Sequence, residues 1–517
     1  MTARRDVVVV GAGHNGLVAA CYLARAGLDV EVVERDTVIG GAVSTVERWP
    51  GVQVDRGSTL HVMVRHTGIV EELDLASCGL TYVDTDPWAT SFSEEGALRF
   101  STDVQRTRES IASMCGRSDG DAYAAFVTDW TPRIRAVLDA FQRPPTPWGL
   151  GRAFWPLGRR VRSNGGELAR QFLQSADALL DHYFDDERLK TALAWWAAQA
   201  GPPPQEVATA PLAATALLMH VRPPGRPLGG SGALTQALAR RLVALGGSVR
   251  VGDGAQRMTA TSVRTVSGDR IDCHAVVCAT HVLTALDLLG DEAVSADARR
   301  RLRVGSGLGL VLRVLADRLP AYTSGGGDPH VGMQLLATSR EQLRRAHADF
   351  LDRRAPEDPP VLVMTPTATD DSLAPAGRHV VTVWSQWHPS KLRDATWDSV
   401  RDRETHRLIA AVDRAAPGFA AGVVDTLLQT PDDLEQELDL RGGNVMHLDM
   451  SLDAMFALRP LPEWSAYRGP HGIYLCGAST HPGGGVSGAS GRSAARVLLR
   501  DLRVRRRRSL LRRAERG

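Results

Sequence analysis

The chain has 517 residues, of which 43% are hydrophobic and 23% are charged. This composition is typical of a globular protein and excludes a disordered or fibrous chain. At roughly 150 residues per domain, the length suggests two to four domains. The formal net charge is +2, but residues 500–517 carry nine arginines, so the rest of the chain is mildly acidic. Nucleic acid is therefore not expected as a partner.

The six cysteines are too few for the disulfide framework of a secreted protein, and we interpret them as reduced thiols of a cytoplasmic protein. The apolar run at residues 7–10 stops at a glycine without a cleavage site, so no signal peptide is predicted. No uncharged apolar stretch reaches about 18 residues, so no membrane-spanning helix is predicted. The arginine-rich tail at residues 503–513 is expected to be solvated or, alternatively, to associate with an anionic membrane surface.

The first fifty residues carry a dinucleotide-binding pattern. A continuous valine run at residues 7–10 predicts a strand buried on both faces. It leads into Gly11-Ala-Gly13-His-Asn-Gly16, and then into apolar residues at helical spacing as far as Gly27. A second strand is predicted at residues 30–34 and ends in Glu34, 18 residues after Gly16. Strand, glycine turn, helix and acid together predict a Rossmann-type α/β domain.

Each residue type in this pattern has a physical reason. Gly11 allows a sharp turn, Gly13 allows N–H groups to approach a pyrophosphate, and Gly16 allows the helix to lie close to the sheet. The helix N-terminus binds the diphosphate through free N–H groups and its dipole. Glu34 is expected to accept hydrogen bonds from ribose hydroxyls and to repel a 2′-phosphate, which disfavours NADP. The pair Gly40-Gly41 follows close to the same cofactor and favours FAD over NAD.

A second strand, glycine loop and helix lie near the other end of the chain. The apolar residues 472–476 predict a strand, residues 477–488 form a glycine-rich loop, and apolar residues at helical spacing follow. A helix is expected to begin near Val486 and to point its positive end at the loop. If the loop holds the flavin ring, that dipole would stabilise the negative charge of reduced flavin.

The two ends together resemble the phytoene desaturase class of FAD-dependent oxidoreductases. The matching stretches are VVVVGAGHNGLVAACYLARAGLDVEVVERDTVIGGAV at residues 7–43 and IYLCGASTHPGGGVSGASG at residues 473–491. Within that class the chain is most similar to the branch of the pyridine nucleotide-disulfide oxidoreductase domain protein two. Residues 227–236, 377–389 and 443–460 fit as well, so the resemblance extends over residues 6–499. Two positions depart from related patterns: Ala42 replaces the arginine usual in desaturases, and Ala478 replaces the acid usual in flavin amine oxidases.

The resemblance implies a Rossmann-type FAD-binding domain (GR2-like) with a discontinuous mixed α+β substrate domain. The FAD-binding domain would comprise residues 1–65, 225–295 and 440–500, the substrate domain residues 66–224 and 296–439, and the basic tail residues 501–517. Ala255 would contact adenine through its backbone. The predicted FAD-binding residues are Gly11, Gly13, His14, Asn15, Gly16, Glu34, Arg35, Gly40, Gly41, Gly57, Ala255, Gly477, Ala478, Gly485 and Val486.

Other motifs give weaker evidence about the function. Cys273 and Cys278 have the spacing of a disulfide reductase, but residues five apart in a strand lie on opposite faces, about 16 Å apart, which is beyond disulfide reach. No Cys/His cluster has zinc spacing, so no metal is predicted. His61, His447 and His481 are weak candidates for an acid or base, and ordinary polar roles remain the alternative.

These observations predict an FAD-dependent oxidoreductase that transfers a hydride from a lipophilic, isoprenoid or polyene, substrate to flavin. A flavin amine or alcohol oxidase is the first alternative, although the two lysines, Lys190 and Lys391, lie outside the flavin motifs. The second alternative is a flavoprotein with a regulatory or partner-binding role, because a shared fold does not secure catalysis.

Overall fold

The computed structural model describes residues 4–160, 165–290, 294–305, 308–323 and 328–514, without the side chains of 159–160 and 505–514. Its architecture is mixed α/β, as predicted, and two large sheets organise it. The strands are β1 Arg5–Val10, β2 Val30–Val33, β3 Thr45–Trp49, β4 Val52–Asp55, β5 Tyr82–Asp84, β6 Ala89–Ser93, β7 Gly96–Phe100, β8 Gly225–Pro227, β9 Ser248–Arg250, β10 Ala255–Met258, β11 Ser262–Thr265, β12 Arg270–Cys278, β13 Gly309–Ala316, β14 Met333–Leu336, β15 Val361–Met364, β16 His379–Gln386, β17 Val423–Gln429 and β18 Tyr474–Leu475.

The helices divide between the two sheets and a helical region that follows β7. They are α1 His14–Arg25, α2 Ile69–Glu72, α3 Val104–Cys115, α4 Arg117–Phe141, α5 Pro147–Arg160, α6 Gly165–Leu173, α7 Ala176–Tyr183, α8 Glu187–Ala198, α9 Ala210–Ala214, α10 Gly232–Ala244, α11 Val282–Leu289, α12 Ala296–Arg301, α13 Arg340–Leu351, α14 Trp397–Ala415, α15 Pro431–Leu438 and α16 Ala489–Ala514.

The first sheet has the order β10-β11-β12-β1-β2-β9, and β18 pairs with β12. Strands β9, β2, β1, β12 and β18 are parallel to their neighbours within this group. Both faces are covered: Val7 and Val9 belong to one core cluster with α1, α10 and α16, whereas Val8 and Val10 belong to another with α11 and α12. This double burial explains the continuous valine run. The strands come from three separated stretches of the chain.

The second sheet has the order β17-β13-β16-β15-β14-β6-β7 and is antiparallel except for the β14–β6 pair. One face packs against α14 through Leu310, Leu312 and Val314. Part of the other face packs against α8 and α9 in a core cluster that includes Trp195. The hairpin β3–β4 packs on the second sheet, where Val52 and Val54 form a small core with Leu315.

The basic tail is only partly described. The backbone of α16 continues as helix to Ala514, and Asp501 on this helix accepts bonds from Arg468 and Tyr474. The tail side chains beyond Val504, and the last three residues, lie outside the described part of the chain. Among the helices that the structure describes, none is long and apolar enough to cross a membrane.

Candidate cofactor site

Four parallel strands of the first sheet end level with one another. In the register, Val10 of β1 lies beside both Val33 of β2 and Cys278 of β12, and Cys278 lies beside Leu475 of β18. The segments that follow these residues enclose a cavity of about 290 Å³. Ligands of open α/β sheets bind at the carboxyl ends of the strands where the strand order reverses. Here β2 and β12 lie on opposite sides of β1, so the strand order reverses at β1. This cavity is therefore the candidate cofactor site.

The N-terminus of α1 opens into the cavity. Its N-cap, Gly13, makes no side-chain hydrogen bond to the first turn, and no acidic residue lies in that turn. A Cβ built on Gly13 would meet no protein atom within 4 Å. His14 and Asn15 line the cavity beside it. The uncapped N–H groups and the open space therefore fit a diphosphate.

Gly16 has a different role, and it does not line the cavity. A Cβ at this position would overlap the Gly11 carbonyl oxygen and lie 2.9 Å from the Ala279 Cβ. Gly11 itself has φ of +99°, a conformation that favours glycine. The absence of a side chain at Gly16 thus allows α1 to pack against the turn and against the segment after β12.

Glu34 is held at the end of β2. Its Oε2 accepts a hydrogen bond of 2.6 Å from the Ala12 N–H, and its Oε1 accepts one of 2.9 Å from the Asp36 N–H. Each carboxylate oxygen keeps a second lone pair, so the group can still accept from ribose hydroxyls. Arg35 and Ala255 line the same end of the cavity, where the adenosine half of a dinucleotide fits.

The segment Gly40-Gly41 forms the next wall. The Gly40 N–H donates to the Ala12 carbonyl at 2.9 Å, and a Cβ on Gly41 would lie 3.8 Å from the Gly13 Cα. Gly57 lies outside the cavity lining, because a Cβ there would meet the Ala42 oxygen at 2.6 Å. Gly57 therefore supports the Gly40-Gly41 segment from behind.

The carboxy-terminal loop reaches the cavity through Gly477 and Ala478, whereas Gly485 and Val486 do not line it. The helix after this loop begins at Ala489 rather than near Val486. Gly485 and Gly488 have φ of +88° and +68°, so a right-handed helix cannot begin before Ala489. Ser490 in the first turn of α16 accepts a bond of 2.9 Å from the Gly477 N–H.

His61 is fully buried, and both of its ring nitrogens are bonded. Nδ1 lies 2.8 Å from the Tyr82 hydroxyl and Nε2 lies 2.8 Å from the Ser231 hydroxyl. Burial, with smaller contributions from His14 and Arg65, lowers the pKa of His61 to about 3. His61 does not line the cavity. Its two hydrogen bonds, to Tyr82 and Ser231, indicate an ordinary structural role for a buried polar side chain.

His447 is the one of the three predicted histidines that lines the cavity. Its Nδ1 lies 3.0 Å from the Ser479 hydroxyl, and its ring stacks on His281 at a centroid distance of 4.9 Å. Burial holds the pKa of His447 well below its usual value, and the neighbouring His281 and Arg459 lower it further. His447 is therefore a neutral group beside Ala478.

His481 lies at the centre of the carboxy-terminal loop. Its Nε2 donates to the Ala140 carbonyl at 3.0 Å, at the end of α4, whereas its buried Nδ1 has no protein partner. The ring packs between Phe141 and Phe456, at centroid distances of 5.9 and 5.6 Å. Burial lowers the pKa of His481 to about 4. A neutral imidazole therefore joins the helical region to the loop and presents an acceptor nitrogen.

Arg459 was not among the predicted site residues. It is fully buried, and its guanidinium donates to the carbonyls of Ala478, Asp449 and Met446 at 2.6–3.2 Å. Burial lowers its pKa to about 9, so it keeps its positive charge at neutral pH. Within the described residues, no carboxylate oxygen lies within 4 Å of it. A charge this close to Ala478 acts on whatever the loop binds.

Two further segments complete the lining. Residues 279–288 follow β12, and they reach the cavity because β12 ends beside Gly11. Residues 437–441 comprise the end of α15 and the turn after it, and Asp439 there accepts a bond of 2.6 Å from Thr284. The rule that ligands lie at strand ends could have found the first segment from the predicted strand. No sequence signal marks the second.

The structure thus brings most predicted residues together at one cavity. Six of the predicted residues do not line it: Gly16, Gly57, Gly485, Val486, His61 and His481. Those that line the cavity are Gly11, Gly13, His14, Asn15, Glu34, Arg35, Gly40, Gly41, Ala255, His447, Gly477 and Ala478.

The fold and the site define an FAD-dependent oxidoreductase. Residues 16–401 match the model of the flavin-containing amine oxidoreductases, and the chain belongs to this family. It is 32% identical to pyridine nucleotide-disulfide oxidoreductase domain-containing protein 2 of Rattus norvegicus, over 96% of this chain and 94% of that protein. It is 27% identical to the phytoene dehydrogenase of Streptomyces griseus, over 93% and 92%. The cofactor of the family confirms the prediction of FAD.

A solved structure shows the same fold. The cyclohexylamine oxidase of Brevibacterium oxydans superposes with a TM-score of 0.55 at 17% identity, over 97% of this chain and 100% of that one. The relatives described above confirm, over nearly the whole chain, the resemblance predicted from the two ends of the sequence. Cys273 and Cys278 are buried free thiols, as predicted.

Proposed function

We propose that the protein removes hydrogen from a lipophilic substrate, of isoprenoid or polyene character, and passes it to FAD. The observation that carries this proposal is the apolar surrounding of the carboxy-terminal loop. Phe141 and Phe456 pack against each other at 5.8 Å beside His481. The similarity to a phytoene dehydrogenase supports the same substrate class.

Methionines extend this apolar surrounding along the loop. A Cβ built on Gly483 would lie 2.8 Å from the Met450 sulfur, and one on Gly484 would overlap the Met446 sulfur. Met63 lies 3.8 Å from the corresponding position on Gly485. Methionine side chains adapt to irregular apolar surfaces. We name Met63, Phe141, Met446, Met450 and Phe456 the apolar collar.

The histidines near the site are all neutral at physiological pH. Burial lowers the pKa of His14 to about 4, as it does for His481. Neutral histidines beside the positively charged Arg459 favour an uncharged substrate over an ammonium ion, because burying a cation without a negative partner is costly. Orientation by the collar would then carry much of the catalysis, since an isoprenoid offers few polar handles.

When bound, FAD supplies the two-electron acceptor for hydrogen removed from a C–H bond. Forming a double bond releases one hydrogen as a hydride and a second as a proton. The Nδ1 of His481, which has no protein partner, would receive that proton, because Nε2 already donates to Ala140. The positive charge of Arg459, which donates to the Ala478 carbonyl, would favour the negative charge of reduced flavin.

The second candidate is a flavin amine oxidase, which the family model and the cyclohexylamine oxidase fold favour. Neither lysine supports it. Lys190 pairs with Glu187 and Asp181 on the helical region, and Lys391 is exposed. Neither residue lines the cavity.

Anaerobic mixing distinguishes these functions. Purified protein that carries FAD is mixed with isoprenoid and polyene lipids in one series and with primary amines in another, and bleaching of the flavin is recorded. Bleaching by lipids alone, with products two hydrogens lighter, is the expected result. Bleaching by amines alone would contradict the proposal. A flavin that no substrate bleaches, together with a stable protein partner, would favour the regulatory alternative.

A further inference from the structure

Helix α5 presents two tryptophans to solvent. Of the eleven tryptophans in the chain, only Trp148 and Trp155 are exposed, at 79% and 69%. They lie seven residues apart and thus on one face of the helix. Arg152 lies between them and is exposed as well. We name Trp148, Arg152 and Trp155 the α5 surface.

The helix is anchored on its other side, so this exposure belongs to the folded state. Ala153 and Leu157 are buried, and each is only 3% exposed. Phe154 packs edge-on against Phe172 of α6 at 6.1 Å. The α5 surface is therefore a fixed face of a docked helix.

The sequence segment that contains α5 carries charge of one sign. Residues 140–166 contain five arginines and neither aspartate nor glutamate. The chain as a whole is nearly balanced, with 61 basic and 59 acidic residues. Of these arginines, Arg152 lies on the α5 surface and Arg143 pairs with Asp139 of α4. A stretch of 27 residues without an acid therefore has a net positive charge, which complements a negatively charged partner.

We propose that the α5 surface docks the protein on an anionic lipid bilayer. Tryptophan rings have an apolar body and a polar N–H, and they favour the boundary between lipid headgroups and acyl chains. Arginines on the same face bind anionic headgroups while their stems stay in the interface. A helix with both residue types on one face and no acid matches a lipid surface in apolarity and in charge.

The position of α5 connects this surface with the cofactor site. Helix α4 ends at Phe141, which packs against His481 of the carboxy-terminal loop, and α5 begins at Pro147. Docking through α5 would hold the apolar collar near the bilayer. The inference does not rest on the proposed reaction, because docking can be measured without turnover.

Flotation with vesicles tests the docking. The full-length protein carrying FAD is mixed with vesicles of phosphatidylcholine, with or without phosphatidylglycerol. We expect flotation with the phosphatidylglycerol vesicles, and weaker flotation at high salt because surface charges are screened. Failure of the wild-type protein to float with the anionic vesicles would overturn the proposal.

A pair of double variants assigns the contact. W148S with W155S is expected to weaken partitioning at least about ten-fold, since each ring loses buried apolar area. Arg152→Gln is expected to weaken it about five-fold. The matched control is V266S with L351S, which removes two side chains exposed at 67% and 68% elsewhere. That control is expected to float like the wild type.

Two results would overturn the assignment. In the first, the tryptophan variant floats like the wild type, while replacement of the tail residues Arg505, Arg506, Arg507 and Arg508 by Gln abolishes flotation. In the second, the tryptophan variant converts a dimer into a monomer in sedimentation and leaves flotation unchanged, which would make the α5 surface a protein interface. Loss of flotation in the tryptophan variant with intact flavin absorbance supports the proposal.

Discussion

The chain contains two glycine-rich turns, each between a buried strand and a helix, and they are built differently. After β1, the helix begins at once, with Gly13 as its N-cap. After β18, thirteen residues separate Leu475 from Ala489, and side chains from elsewhere hold the loop: Arg459 binds the Ala478 carbonyl and Ser490 binds the Gly477 N–H. The first turn is defined by its own backbone, and the second by distant residues.

This difference teaches how far a local motif determines a site. In the first turn, spacing alone gives the geometry, because each glycine acts on neighbours within the motif or on the adjacent strand end. In the second, the glycines permit several paths, and Arg459, His481 and Ala140 select one. Variants in the first turn should therefore act on folding or on cofactor binding separately, whereas variants in the second should alter the flavin.

The largest expected effect separates two glycines of the first turn. G16A places a methyl group on the Gly11 carbonyl and should destabilise the apoprotein by at least about 3 kcal/mol. G13A places its methyl group in open space and should leave the apoprotein stable but weaken FAD retention. Thermal unfolding of apoprotein and the flavin content of holoprotein measure the two effects. Equal losses of apoprotein stability in both variants would contradict this distinction.

The next effect concerns pH, since the second turn contains a buried neutral histidine, His481. Burial lowers the pKa of His481 in the folded protein to about 4, below the usual histidine value of about 6.5. As the pH decreases below about 6.5, this histidine binds a proton in the unfolded chain but not yet in the folded protein. The free energy of unfolding therefore decreases by about 1.4 kcal/mol for each pH unit. This loss continues until the folded pKa is reached.

H481Q keeps an amide donor for Ala140 and removes the titrating group. Between pH 6 and pH 4 its unfolding free energy should therefore fall less steeply than that of the wild type, by about 1.4 kcal/mol per unit. The exposed His274 supplies the control, and H274Q is compared with the wild type under the same conditions. Chemical denaturation across the pH range checks both. An unchanged slope in H481Q would show that His481 is not buried as described.

A smaller effect is expected at Arg459. R459M removes a buried positive charge beside Ala478 and should lower the flavin midpoint potential by roughly 30 mV, which corresponds to about 1.4 kcal/mol for a two-electron couple. R459K keeps the charge and should shift the potential less. R468Q, which breaks the surface pair with Asp501, serves as control. Equal potentials in R459M and R459K would mean that Arg459 acts through structure alone.

The smallest effect is expected at the two cysteines of β12. C273A with C278A should leave anaerobic flavin reduction unchanged and cost only packing energy, because both thiols are buried and free. Stopped-flow reduction with an active substrate measures this. Loss of flavin reduction in a stably folded double variant would indicate a redox role for the thiols.

The fold around the first turn was predictable, because continuous valines and a spaced glycine motif have few structural solutions. Glu34 and Gly40 were found at the cavity for the same reason, whereas Ala255 was predicted only from the family resemblance. The start of α16 was not, since positive φ at Gly485 and Gly488 cannot be read from composition. Arg459 and residues 437–441 were not predicted as site residues, because their roles arise from long-range packing. Gly57 matched the family pattern, yet it packs against Ala42 and does not line the cavity.

The central claim is that this flavoprotein oxidises a lipophilic C–H substrate. The most direct measurement is an anaerobic single turnover with an isoprenoid lipid, in which flavin reduction and product mass are recorded together. The account predicts one product molecule, two hydrogens lighter, for each flavin reduced, and no reduction by primary amines. Stoichiometric flavin reduction by an amine, with no change in any lipid, would contradict it.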